Sequence, residues 1–154
     1  MPFKRGLYFI LLFYVPGIFS FAQLRFKQID VNQGLSQNSV NKVFKDSEGY
    51  YWIGTQDGLN RYDGFTFDIY RHNRNDTNSL CDNFVLDIAE DKFGNLWIAT
   101  RNGLNRFNKR TNLFLNVTSH LYNVMNAGHN SVSALEIDKQ GNLFYTAIGK
   151  LFLI

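Results

Sequence analysis

A single cysteine, Cys81, stands in a chain of 154 residues, so no intrachain disulfide framework exists. Histidine is nearly as scarce. His72, His120 and His129 are the only three, and none has the spacing of a metal-binding pair on one helix face. No G-x-S-x-G elbow is present, which removes the usual signature of an exposed serine nucleophile. Blocks of like charge are also missing. The formal charge is +3, from 16 Lys and Arg against 13 Asp and Glu. Without a clustered positive face there is no counterion-releasing surface for nucleic acid, and that partner is excluded. After residue 23 no stretch sustains helical periodicity.

Charge is absent altogether from Gly6 to Phe21, a run that follows Lys4 and Arg5 and is interrupted by Pro16. Ser20-Phe21-Ala22 then places small residues at the first and third positions before Gln23. This basic start, sixteen-residue uncharged run and small-residue site have the layout of a secretory signal, with cleavage expected between Ala22 and Gln23. The run is shorter than the roughly 20 residues of a spanning helix. An uncleaved anchor or a core helix is the alternative. Removing residues 1–22 takes away two basic and no acidic side chains, so the remainder carries 14 minus 13, or +1.

What the chain does have is repetition. "GYYWIGTQDGLNRYD" from Gly49 and "GNLWIATRNGLNRFN" from Gly94 share eight of fifteen residues. A third, divergent copy runs from Gly141 to Ile154. Gly49, Gly94 and Gly141 keep step with Trp52, Trp97 and Phe144, and each glycine follows an aspartate three positions earlier: Asp46, Asp91 and Asp138. Asp-x-x-Gly suits a tight turn, because Asp bonds the backbone and Gly accepts positive φ. A second glycine turn follows at Gly58 and Gly103, and Arg61 and Arg106 recur behind it.

Between the turns lie apolar runs of strand length. They predict strands at Val40–Lys45, Tyr51–Thr55, Leu59–Tyr62 and Thr66–Tyr70 in the first copy. The second copy predicts Val85–Glu90, Leu96–Thr100, Leu104–Phe107 and Leu113–Val117. The third predicts Val132–Ile137, Leu143–Ala147 and Leu151–Leu153. A four-stranded antiparallel meander of about 45 residues is the blade of a β-propeller. The expected fold is therefore all-β: a partial propeller with two complete blades, 34–77 and 78–118, and an incomplete third, 119–154. Residues 23–33, containing "LRFKQIDV", are expected to form an N-terminal strand that pairs with the closing blade. Propellers need at least four blades, about 180 residues at this period. The expectation is a piece of a longer chain; a truncated product, or a piece that closes a ring by oligomerising, are the alternatives.

Repeated positions read as scaffold. Trp52 and Trp97 are expected as wedges between neighbouring sheets. Arg61 and Arg106 are expected to make a repeated cross-strand or inter-blade hydrogen bond, although a fork aimed at a sugar acid is the other reading. Recognition belongs where the pattern is interrupted. The longest interruption is Ser119–Asn130, so Tyr122, Asn123 and His129 are the candidate ligand-binding residues. Arg71–Asn83 is rich in Asn and Asp but lacks the spacing of a calcium loop, and is expected to be a solvated inter-blade loop. No metal, cofactor or catalytic residue is indicated.

The stretch from Gly34 to Tyr70 resembles the two-component regulator propeller repeat, with its G-L-S/P-x-N-x-V, D-x-x-G-x-L-W-I-G-T and G-L-x-R-Y-D-G segments. Tyr51 stands where that pattern has Leu, Ala99 where it has Gly, and Asn108 where it has Asp. In the third copy Phe144 replaces Trp and the arginine is lacking. The resemblance implies the periplasmic sensor region of a hybrid two-component histidine kinase of the Bacteroidetes type. It further implies oligosaccharide ligands, a dimeric receptor, kinase activity in a later region, and remaining blades in the same longer chain. A secreted propeller enzyme of lyase or glycosidase type, and an extracellular adhesion scaffold, are the competing classes.

Overall fold

The computed structural model describes residues 25–118 and 131–154. The expected cleavage site at Ala22 and Gln23, and Tyr122, Asn123 and His129, lie outside the described residues. Eleven strands follow one another: β1 (Val40–Lys45), β2 (Tyr51–Thr55), β3 (Gly58–Tyr62), β4 (Phe67–Tyr70), β5 (Val85–Glu90), β6 (Leu96–Thr100), β7 (Gly103–Asn108), β8 (Leu113–Asn116), β9 (Val132–Ile137), β10 (Leu143–Ala147) and β11 (Lys150–Leu153). They form three antiparallel sheets in sequence order, β1–β4, β5–β8 and β9–β11. The fold is a partial propeller with two complete blades and a three-stranded third.

One irregularity recurs in every blade. The ladders between first and second strands skip one residue, Asn41, Leu86 and Ser133 in turn. A bulge of this kind sharpens the local twist, and here it bends each innermost strand at the same height. The first strands are neighbours. Asn41 Nδ2 donates to the Val85 carbonyl at 2.7 Å, and Asp87 receives both Lys42 Nζ at 2.6 Å and the Leu135 amide at 2.8 Å. The blades therefore radiate from β1, β5 and β9.

Two apolar cores fill the gaps between blades. The first joins Trp52 and Leu59 of blade 1 to Val85, Ile88, Leu96, Ile98 and Phe107 of blade 2. The second joins Ala99 and Leu104 of blade 2 to Val132, Leu135, Leu143 and Tyr145 of blade 3. Burying a residue of Leu or Ile size contributes about 1.5–3 kcal/mol, so these seams are the main cohesive force. Gly54 lets blade 2 approach: a Cβ there would sit 2.6 Å from Val85 Cγ1. At the matching place in blade 2, Ala99 fits against blade 3 and is fully buried.

The same residues are open on blade 1. Shifting by 45 positions, Val85 and Ile88 correspond to Val40 and Val43. The first pair is 0% and 1% exposed, the second 44% and 57%. Val40, Val43, Tyr51, Ile53 and Tyr62 line a shallow cleft of about 340 Å³ with Leu35, Lys27 and Ile29.

The N-terminal segment lies outside the three described sheets, and the closing blade expected to pair with it is not among them. Residues 25–30 carry no strand, and Val31–Gln33 form a short 3-10 turn capped by Asp30. A strand exists only as part of a ladder. Among the described sheets none pairs with this segment, and Asp30 and Gln33 instead close a reciprocal capping box.

Candidate functional site

The rim that carries the Asp-x-x-Gly turns holds most of the repeated polar residues. Gly49, Gly94 and Gly141 take φ of 96°, 79° and 93° and complete their turns. Each turn aspartate is a clamp. Asp46 Oδ1 accepts the Glu48 and Tyr50 amides at 3.0 and 2.9 Å, Asp91 those of Phe93 and Asn95 at 2.9 Å each, and Asp138 those of Gln140 and Asn142 at 2.9 and 2.8 Å. The second oxygen reaches the sheet. Trp52 Nε1 donates to Asp46 Oδ2 at 2.8 Å and Trp97 Nε1 to Asp91 Oδ2 at 3.2 Å. The Phe144 side chain has no N–H to give, and Asn142 Nδ2 donates to Asp138 Oδ2 instead at 2.7 Å.

Trp52 is fully buried, with its ring 5.4 Å from Phe107 and 5.9 Å from Tyr70. Trp97 is half-buried against the second core, and Phe144 is half-buried opposite Leu153. Leu143 pairs with Ile154 as Leu96 pairs with Phe107, so Ile154 occupies the aromatic's place beside Trp97.

Lys109 ties the first two blades together on this rim. Its Nζ lies 2.7 Å from Glu90 Oε1, 3.2 Å from Asp46 Oδ2 and 3.2 Å from Glu48 Oε1, with the side chain 9% exposed. Ser47 donates its amide and hydroxyl to Glu90, each at 2.7 Å. Burial alone would raise the Asp46 pKa. The Trp52 indole, Lys109 and the Tyr50 amide outweigh it and hold the carboxyl below its ordinary value. Burial would likewise lower the Lys109 pKa, and Glu90, Glu48 and Asp46 raise it instead. Asp91 stays low because Asn95, backbone amides and Trp97 overcome its burial; Asp138 is lowered chiefly by Asn142. These groups are fixed charges, suited to holding a surface in shape.

The two arginines behave differently. Gly58 and Gly103 open β3 and β7, and Arg61 and Arg106 follow three residues on. Arg61 faces Asp68 across the ladder and donates Nε and Nη2 to it at 3.1 and 2.5 Å. Its guanidinium also lies over the Tyr50 ring, 5.1 Å from the centroid. Arg106 faces Leu115, and its Nε is buried with no hydrogen-bond partner among the described residues. The expected repeated bond thus exists in blade 1 only, because the residue opposite changes from Asp to Leu. An unpaired buried donor costs about 1–3 kcal/mol. Arg106 borders a cleft of about 430 Å³ with Glu48, Phe93, Asn95, Asn108, Lys109 and Arg110.

At the other end, Ser36 Oγ and Thr55 Oγ1 are 2.9 Å apart and Asn60 brackets Ser36. Blade 2 repeats this with Cys81, Thr100 and Asn105. The lone cysteine is the serine of the repeat in altered form, and burial raises its thiol pKa. Asn60 and Asn105 recur 45 residues apart, a signal the sequence carried. Lys109 and Glu90 have no such signal, since Gly64 and Lys45 stand at their places in blade 1. Arg71–Asn83 forms a polar loop in which His72 Nδ1 sits 2.6 Å from the Leu80 carbonyl. Among the described residues no group of three or more His, Cys, Asp and Glu side chains is placed to hold a metal, and no helix is long and apolar enough to cross a membrane.

Three stacked antiparallel meanders, clamped at equivalent turns and sharing apolar seams, define a blade-built propeller segment. Residues 34–57 and 79–102, the first two strands of each complete blade, match the family model for the two component regulator propeller. A 55-residue segment is 49% identical to Histidine kinase P4 of Formosa agariphila, covering 36% of this chain and 4% of that protein. Among solved structures, the chain is similar to the extracellular domain of a hybrid two component system from B. thetaiotaomicron, at 20% identity and a TM-score of 0.49, covering 83% of this chain and 25% of that one. A one component system's extracellular domain from the same organism gives 21% and 0.46, covering 78% and 23%. The chain thus spans about a quarter of these structures and a far smaller share of the kinase.

Proposed function

We propose that this chain supplies the first blades of a ligand-sensing propeller in the exported, periplasmic part of a two-component sensor, and that it binds rather than catalyses. The observation that carries the reading is that one family match falls on the first two strands of each complete blade. The 49% identity of one segment to a histidine kinase supports the same class. An oligosaccharide is the proposed ligand, and a homodimer the proposed state of the whole receptor.

The proposed partners of the open blade 1 face are further blades of the same longer chain. Position by position, that face repeats two faces which in this structure are covered by the leucine-and-tryptophan side of the preceding blade. Sensing would then be a shift between two arrangements of the receptor, driven by a ligand that binds one of them better.

The test is ATP-dependent autophosphorylation of the full-length protein in membranes, with and without a panel of oligosaccharides. A response to one glycan, which is recovered unaltered, is expected. A full-length chain lacking a kinase region, or one that cleaves the glycan, overturns the reading.

A further inference from the structure

We infer that Arg106 binds the carboxylate of a sugar acid in the cleft between the rims of blades 1 and 2; this rests on the sensing reading above. The internal repeat provides the comparison. At the equivalent place Arg61 is doubly satisfied, by the Asp68 carboxylate across the ladder and by the Tyr50 ring beneath it. Blade 2 withdraws both partners. Leu115 replaces the aspartate. Asn95 replaces the tyrosine and turns its Nδ2 to Asp91 at 3.0 and 3.2 Å. The arginine remains, with a buried Nε that no described residue accepts.

The surroundings favour an anion. Lys109 is shared among Asp46, Glu48 and Glu90, and Glu48 is the one carboxylate that lines the cleft, against the three cations Arg106, Lys109 and Arg110. Arg106 and Arg110 are left as the cations without an ion-pair partner among the described residues of that lining. Beside them Phe93 is 77% exposed and offers a flat apolar face. A guanidinium fork matches a planar carboxylate through two parallel N–H···O bonds, and a ring face suits the C–H side of a sugar. In Arg61 the chain itself shows the group that this position accepts.

The experiment is equilibrium dialysis of the full-length protein against labelled glucuronate, with glucose and sulfate as competitors. Glucuronate should bind, with glucose and sulfate each at least about tenfold poorer competitors, since a charge-assisted bond corresponds to about that factor. Arg106→Gln should weaken glucuronate about tenfold. Leu115→Asp should do the same by supplying the carboxylate from within, and because Leu115 is half exposed its melting temperature should not fall. Glucuronate binding unchanged in both variants, or sulfate competing equally well, overturns the inference. A kinase response to a neutral glycan that survives in Arg106→Gln would then leave the sensing reading standing by itself.

Discussion

Asp87 on β5 accepts the amide of Leu135 on β9 at 2.8 Å while its other oxygen holds Lys42 of β1 at 2.6 Å. One carboxylate on an innermost strand therefore fastens three blades. Its counterparts in the repeat are Lys42 and Ala134, so the fastening is made once.

Replacing Asp87 by Ala should destabilise the protein by about 1–3 kcal/mol, because the Leu135 amide loses its acceptor. Asp87→Asn keeps an acceptor, gives up only the ion pair, and should lose less. Urea unfolding midpoints of the two variants give the order, and equal losses would assign the effect to Lys42 alone.

Stability should depend on acid through the Asp46 cluster. Burial acts to raise the Asp46 pKa, but its hydrogen bonds and Lys109 bring it below the ordinary value. A carboxyl depressed by folding stabilises above its unfolded pKa and loses that contribution as pH falls through the folded one. Stability should be full above about pH 5 and decline below about pH 4. Asp46→Asn should be less stable at pH 7 and show a shallower decline, which melting curves at several pH values would record.

Trp52→Ala should cost about 3–5 kcal/mol, the range for a fully buried large aromatic. Trp97→Ala should cost less, because Trp97 is only half-buried and has Ile154 where Trp52 has Phe107. Tryptophan fluorescence reports both: the spectrum left in Trp97→Ala, due to Trp52, should be the bluer one.

Cys81→Ser should fold normally and change stability by less than about 1 kcal/mol, since Ser36 makes the same contacts to Thr55 and Asn60. Cys81→Ala should be worse, leaving Asn105 and Thr100 short of a partner. In the native protein the thiol should react slowly with a disulfide reagent, being buried with a raised pKa. Rapid native labelling would contradict that burial.

The strands were legible because their causes lie within one unit. Apolar runs of strand length and Asp-x-x-Gly turns are local, and β1, β2, β5, β6, β9 and β10 fall where the sequence predicts them. The Ser36, Asn60 and Thr55 triad was legible in principle, since Cys81, Asn105 and Thr100 repeat it. Residues 25–30 carry strand character without forming a strand, because a strand signal becomes a strand only beside a partner edge, and the closing blade expected to pair with residues 23–33 is not among the described blades.

The sequence by itself determined the blade, its turns and its period, because those follow from residues close together in the chain. Only the tertiary structure decided that Asp87 joins three blades, that Lys109 gathers three carboxylates, and that Arg106 is left unpaired where Arg61 is satisfied. Each depends on which side chain the sheet stacking or the strand register brings opposite, and Asp87, Lys109 and the residue facing Arg106 do not follow the repeat.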